Sequence, residues 1–308
     1  MLEIFETGPN PMQYWHMKAS EQVAKWKSGE ATGFSTGFPD VDTFGYFEPG
    51  DLIVIAARPS QGKTQLGLQI CEEIAGQIET PGVVVIFSAE MPGESLLIRL
   101  ASAKSGINSH KLRMGKGSAG EYKELEGALT ALRTLPFWID DSSGPTTDYM
   151  LTQIQRLTED VPVRAMMFDF VELGGDRVKG GNEEQRISTI AHNLKGIAKT
   201  LRIPVIALSQ LSRDVEKRAS KRPVLSDLRY SGMLEQLADK IYFIMRPEYY
   251  VERGMGVDVP AGDEAGVAYI DVAKNRNGPV GTVRLAYIKE RVQFATLERV
   301  PIMEEGWE

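Results

Sequence analysis

The 308-residue chain is predicted to be an α/β domain, with a mostly parallel central sheet flanked by helices and an antiparallel C-terminal extension. Two observations lead there. Apolar runs without alternation recur between helical stretches: L-I-V-I-A-A at 52–57, V-V-V-I-F at 83–87, A-M-M-F at 165–168 and P-V-I-A-L-S at 204–209. Strands that are apolar at every position are buried on both faces, which calls for helices on either side of a parallel sheet. Later, I-Y-F-I-M at 241–245, G-V-A-Y-I-D-V-A at 266–273 and G-T-V-R-L-A-Y-I at 281–288 alternate like paired strands of an antiparallel extension.

Taken in order, S-E-Q-V-A-K-W-K-S-G at 20–29 sets Val23, Ala24 and Trp26 among charges and reads as a short amphipathic helix, docked on its own domain or on a neighbour. The turn-forming stretch G-F-P-D-V-D-T-F-G-Y-F-E-P-G-D leads to Asp51, which opens the first strand. Helices are expected at 64–76, 94–104, 119–133, 147–157 and 183–201, with a further strand at 136–139. No repeat or low-complexity block interrupts the pattern. Residues 1–31 read as a leader with a linker helix, and 32–308 as one domain.

Hydrophobic content of 42% and charged content of 25% exclude a disordered or collagen-like chain. The net charge of −7 and pI near 5.3 exclude global attraction to nucleic acid, so any such binding needs a local basic surface. Cys71, the single cysteine, cannot form an internal disulfide, and its apolar helical neighbours make it a small core residue. The N-terminus lacks a basic leader, and no run approaches the ~20 apolar residues of a membrane helix. A reducing, cytosolic setting and no membrane contact are the expectation.

The chemistry begins at A-R-P-S-Q-G-K-T, residues 57–64, which leaves a strand, enters a helix and ends in the Gly-Lys-Thr of a phosphate loop. Arg58, Pro59, Ser60, Gln61, Gly62, Lys63 and Thr64 are the candidate nucleotide-binding residues. Backbone N–H groups near Ser60–Lys63 would wrap phosphates at the positive end of a helix, Lys63 would reach the β and γ phosphates, and the Thr64 hydroxyl would take Mg²⁺. Ala57 stands where the motif's first glycine is usual, and an ordinary turn into a helix can carry the same spelling. Two carboxylates at strand ends tip the balance. Asp169 closes A-M-M-F-D, where a second metal ligand is needed, and Glu90 in F-S-A-E-M-P stands where an attacking water can be activated. Simple strand or helix capping is the competing role of each.

With P-G-D-L-I-V-I-A-A-R-P-S-Q-G-K-T, F-S-A-E-M-P, I-D-D-S-S-G, P-V-I-A-L-S-Q-L-S-R, R-P-V-L-S-D-L-R-Y-S-G-M-L-E-Q-L-A-D and K-N-R-N-G-P-V-G-T-V-R-L, the chain resembles the DnaB-type replicative helicases and their phage relatives over about residues 32–296. The resemblance implies a hexamer of RecA-like P-loop ATPase domains, with ATP held between neighbours and single-stranded DNA threaded through the ring. It implies that Gln210 senses the γ-phosphate, that Lys274 and Arg276 reach a neighbour's ATP with Arg276 as the finger, and that Arg229, Tyr230 and Gly232 grip DNA. Between 213 and 229, six Lys or Arg against three acids give a local surplus of +3, although charge runs are usually solvated faces.

Three departures qualify the match. No counterpart of the family's helical collar domain, which handles primase and loader contacts, precedes residue 32, and this leans towards a phage form. Glu172 replaces a usual glutamine after the Asp169 strand, and Tyr230 a usual glutamate in the DNA loop, where a ring could stack on a base. The expected activity is ATP-dependent unwinding with 5′-to-3′ translocation. The alternative is a RecA-like ATPase that binds or remodels single strands in recombination without unwinding.

Overall fold

In the computed structural model the apolar runs lie side by side in one nine-stranded sheet, ordered β3-β2-β4-β5-β1-β6-β7-β8-β9. The structure describes residues 11–30, 32–77, 82–228, 232–263 and 265–297. In chain order the elements are α1 (Met12–Ser28), α2 (Pro39–Asp42), β1 (Leu52–Ala57), α3 (Lys63–Gly76), β2 (Val83–Ser88), α4 (Gly93–Ser105), α5 (Ser109–Arg113), α6 (Ala119–Leu132), β3 (Phe137–Asp140), α7 (Thr147–Thr158), β4 (Val163–Asp169), α8 (Glu183–Leu201), β5 (Val205–Gln210), α9 (Gly232–Leu237), β6 (Lys240–Met245), α10 (Pro247–Val251), β7 (Val267–Asn275), β8 (Gly281–Ile288) and β9 (Gln293–Thr296).

Strands β1 to β6 are mutually parallel, and β1, β2, β5 and β6 are apolar enough to be buried along nearly their whole length. Alternate residues of each strand feed two cores. Ile53, Ile55, Ile86, Met167 and Leu208 pack under α3 and α4, while Leu52, Val54, Phe168, Ala207 and Phe243 pack under α7 and α8. The run at 241–245 is corrected by this topology. It pairs in parallel with β1 on one side and antiparallel with β7 on the other, so the antiparallel extension begins one strand later than predicted. Burial on both faces is the reason, since β6 continues the parallel sheet and shows no alternation of exposure.

The N-terminal helix starts at Met12, eight residues before the expected start at Ser20, directly after Pro11, whose extended backbone (φ −67°, ψ 158°) stops it from the N-terminal side. No residue of α1 is buried, and Trp15, Met17, Val23 and Trp26 are exposed.

Candidate active site

The loop between β1 and α3 turns through two left-handed residues, Ser60 (φ 65°) and Gly62 (φ 99°). Gly62 also lies against the ring of Phe294 from β9, where a Cβ would meet Cζ at 2.9 Å. Conformation and space therefore both demand glycine. The first intrahelical bond of α3 runs from Leu66 N to Gly62 O at 3.0 Å, so the amides before it are without a partner in the helix and make its positive end an anion site.

Three elements converge here. Lys63 Nζ lies 2.9 Å from Asp169 Oδ1 and 3.4 Å from Glu90 Oε2, and Thr64 Oγ1 donates to Asp169 Oδ2 at 2.7 Å. The strand pairing of Ser88 with Asp169, reinforced by Ala89 N donating to Asp169 O at 2.8 Å, brings the ends of β2 and β4 to one edge. Asp169 is fully buried, whereas the Glu90 side chain is 49% exposed and open to water. Lys63 also lies over the Phe170 ring, 4.2 Å from its centroid.

Gln210 closes β5 beside Ala57, so it borders the loop. Its backbone N–H donates to Glu172 Oε1 at 3.0 Å, and the Ser209 hydroxyl donates to the same oxygen at 2.7 Å. Glu172 Oε2 is buried without a partner among the described residues. Burial pushes the Glu172 pKa up, against the pull of these two bonds and of the Lys63 charge.

Side chains of the loop itself serve its architecture. Arg58 donates to Glu216 Oε1 and to Leu211 O, both at 2.8 Å, and buried Gln61 accepts from Arg246 N at 2.7 Å. Arg246 went unread in the sequence. Its guanidinium stacks 3.5 Å from the Tyr287 ring centroid and donates to Ser60 O at 3.1 Å, forming a wall at the loop. The signal was its position directly after the run at 241–245, at the carboxyl edge where ligands of such sheets bind. Arg99 of α4 was missed too. Burial lowers its pKa, and the negative charges of Asp169 and Glu90, which oppose that shift, place it beside the same site.

Lys274 and Arg276 lie at the opposite edge. Asn275, between them, pairs with Lys240, the first residue of β6. Arg276 donates from N to Asp239 O at 2.9 Å, from Nη1 to Asp239 Oδ1 at 3.0 Å and from Nη2 to Gln236 O at 2.6 Å. Asp239 Oδ2 in turn accepts from Leu52 N, at the start of β1, at 2.7 Å. The length of β1, about 20 Å at ~3.3 Å per residue, separates this pair from the chain's own phosphate loop.

Of the predicted DNA-contacting residues, Arg229 and Tyr230 lie outside the described residues, and Gly232 opens α9 exposed. Much of the basic stretch before them is internally paired. Arg218 grips Asp227 with bonds of 2.6 and 2.7 Å, Arg222 reaches Asp271 at 3.2 Å, Lys217 reaches Asp214 at 2.6 Å, and Lys221 Nζ donates to Glu216 O at 2.7 Å. These four cations are thus paired within the fold, and of them Arg222 ties the segment to a strand of the sheet. Among the described residues no group of three or more His, Cys, Asp or Glu is placed to hold a metal by itself.

A mostly parallel sheet with a phosphate loop at the end of its central strand, and carboxylates supplied by two neighbouring strand ends, defines a P-loop domain of the RecA-like class. Residues 33–296 match the DnaB-like helicase C-terminal domain, and the chain belongs to that family. It is 40% identical over 277 residues to the replicative DNA helicase DnaC of Bacillus subtilis (strain 168) and to the replicative DNA helicase DnaB of Geobacillus stearothermophilus, in each case over 89% of this chain and 58% of the relative. The chain thus spans a little over half the length of these relatives. Among solved structures, an isolated ATPase domain superposes with a TM-score of 0.84 at 32% identity, covering 94% of this chain and 100% of that one. A DnaB-like replicative helicase, described with its interactions with primase, gives 0.81 at 32% identity over 94% of this chain and 68% of that one.

Proposed function

We propose that this chain is the ATP-hydrolysing motor of a replicative DNA helicase, moving 5′ to 3′ on single-stranded DNA as a homo-oligomer, in keeping with its family a hexamer. The observation that carries the reading is the convergence of Lys63, Thr64 and Asp169, with Glu90 3.4 Å from the Lys63 ammonium.

In this reading Lys63 transfers from Asp169 to the β and γ phosphates, and the amides of the loop hold the remaining phosphate oxygens. Glu90 orients and deprotonates the attacking water. Thr64 Oγ1 and the Asp169 carboxylate, hard oxygen donors 2.7 Å apart, suit Mg²⁺ completed by nucleotide oxygens and water, and the ion would neutralise charge on the phosphates. Gln210 responds to the γ-phosphate through the Glu172 contact at its amide. Lys274 and Arg276, one sheet length away, act on a neighbour's ATP, where a guanidinium offsets transition-state charge. Residues 229–232 meet DNA, residues 1–31 form a leader that contacts a neighbour, and a primase or loader completes the set of partners.

The test is ATP hydrolysis with and without single-stranded DNA for wild type and Arg276→Ala, together with forked-duplex unwinding and sizing in ATP and Mg²⁺. The expected result is DNA-stimulated hydrolysis by an oligomer, unwinding, and loss of both in the variant. DNA-independent hydrolysis by a monomer, indifferent to Arg276, would overturn the reading.

A further inference from the structure

Strand β9 lies along the helix that the phosphate loop opens. Gly62, the N-cap of α3, and Gln69 are seven residues apart, about two helical turns, and so share one face of that helix. Phe294 of β9 meets both. Its main chain forms a closed pair of bonds with the Gln69 side-chain amide, Gln69 Nε2 donating to Phe294 O and Phe294 N donating to Gln69 Oε1, each at 2.9 Å. The carboxamide stands in for a neighbouring strand, because β9 pairs with β8 on its other side and would otherwise leave these two main-chain groups without a partner. Away from the loop, Gln69 and residues 293–296 line a cavity of about 510 Å³, so among the described residues no packed layer holds β9 from that side.

The Phe294 ring is 1% exposed and faces Gly62, where a Cβ would meet its Cζ at 2.9 Å and its Cε2 at 3.0 Å, and Tyr287 Cε2 at 3.3 Å. The two rings stand edge to face with centroids 5.0 Å apart, and Arg246, stacked on Tyr287, donates to Ser60 O. This wall therefore touches the loop at Ser60 and Gly62, the two residues with positive φ. Glycine has little preference of its own between left- and right-handed backbone, so the value of 99° at Gly62 has to be fixed from outside the residue. The Phe294 ring is the group in position to fix it.

We propose that Phe294 is a positioning residue of the nucleotide site: the Gln69 amide staples it to α3, and its ring holds Gly62, with the amides of the phosphate loop, in the anion-binding conformation before nucleotide arrives. The proposal rests on the reading of residues 58–64 as the nucleotide site. A loop already set in its bound conformation loses less freedom on binding, and the difference appears as affinity. The loop amides meet the phosphates in the ground state and the transition state alike, so loosening them removes uniform binding, which raises KM and spares kcat. Glu90 acts on the attacking water, and its loss falls on kcat instead.

The experiment titrates the full chain with the fluorescent nucleotide mant-ADP and measures the ATPase constants, for wild type, Phe294→Leu, Gln69→Met, Gly62→Ala and the double variant Gly62→Ala with Phe294→Leu; urea unfolding gives the folded fraction of each. Phe294→Leu is expected to raise KM and the mant-ADP Kd by about fivefold or more, and Gln69→Met to shift both in the same direction, with kcat within about twofold of wild type. A chain that only folds less well shows the opposite split, with kcat reduced in proportion to the folded fraction and KM unchanged. In Phe294→Leu the methyl of Gly62→Ala finds room, so Gly62→Ala is expected to weaken mant-ADP binding less there than in wild type, a coupling of about threefold or more. Gln69 is half-buried, and Gln69→Met decides the matter if Phe294→Leu fails to fold. Independent effects of the Gly62 and Phe294 substitutions, or an unchanged KM in Gln69→Met, would overturn the positioning role and leave the nucleotide site standing. A wild type that does not bind mant-ADP would overturn both.

Discussion

The carboxylate of Glu172 lies 3.0 Å from the backbone nitrogen of Gln210, tying the exit of β4 to the last residue of β5. Burial raises the Glu172 pKa above its ordinary value of 4.5. A carboxyl raised in the folded state gives stability that is fully present below its unfolded pKa and is lost as pH rises through the folded one. At neutral pH the wild type therefore carries a penalty that a neutral amide lacks. Glu172→Gln is expected to raise the melting temperature by a few degrees at pH 8, with the gap closing as the pH falls towards 5. A gap independent of pH would show that the charge at Glu172 is not the cause.

Glu90 is half exposed and bonded to Lys63 alone among the described residues, so the fold depends on it little. Glu90→Gln is expected to lower kcat by about 10²- to 10⁴-fold, the usual worth of a general base, while changing stability by less than about 0.5 kcal/mol. Steady-state kinetics and urea unfolding on the same preparation check both halves.

Gly62 combines a φ of 99° with a Phe294 contact that leaves no room for a methyl group. Gly62→Ala is expected to destabilise the chain by about 1–3 kcal/mol through backbone strain and to weaken nucleotide binding, because the loop must shift to relieve it. Urea unfolding and titration with a fluorescent ATP analogue measure the two effects.

Arg218 and Lys217 are neighbours with unequal work. Arg218 neutralises Asp227, whose side chain is 2% exposed, whereas Lys217 and Asp214 are 79% and 62% exposed. Arg218→Ala strands a buried carboxylate and is expected to cost about 2–4 kcal/mol. Lys217→Ala is expected to cost less than about 1 kcal/mol and to lose even that in salt. Equal losses in denaturant melts would contradict this division.

The parallel core is legible because its strands are apolar at every position, and α8 can be read to the residue because Asn182 and Gln185 spell a capping box before a 3.6-residue pattern. Short elements are not: α9, α10 and β9 span too few residues to show a period. The convergence of Lys63, Thr64, Glu90 and Asp169 follows from placing each motif at a strand's carboxyl end. The roles of the charges do not, because their partners are distant in sequence. Arg58 meets Glu216, and Arg222 meets Asp271, across separations that local pattern cannot bridge. A count of basic residues between 213 and 229 registers the charge but not its neutralisation within the fold.

The placement of the phosphate loop and of Arg276 at opposite ends of β1 has a numerical consequence for assembly. On the proposed assignment of Arg276 to a neighbour's ATP, each chain carries half of two catalytic centres, so a row of n copies would contain n − 1 complete centres, and closure of the row would add the last. A solitary copy would have none, and turnover per chain is expected to climb with protein concentration.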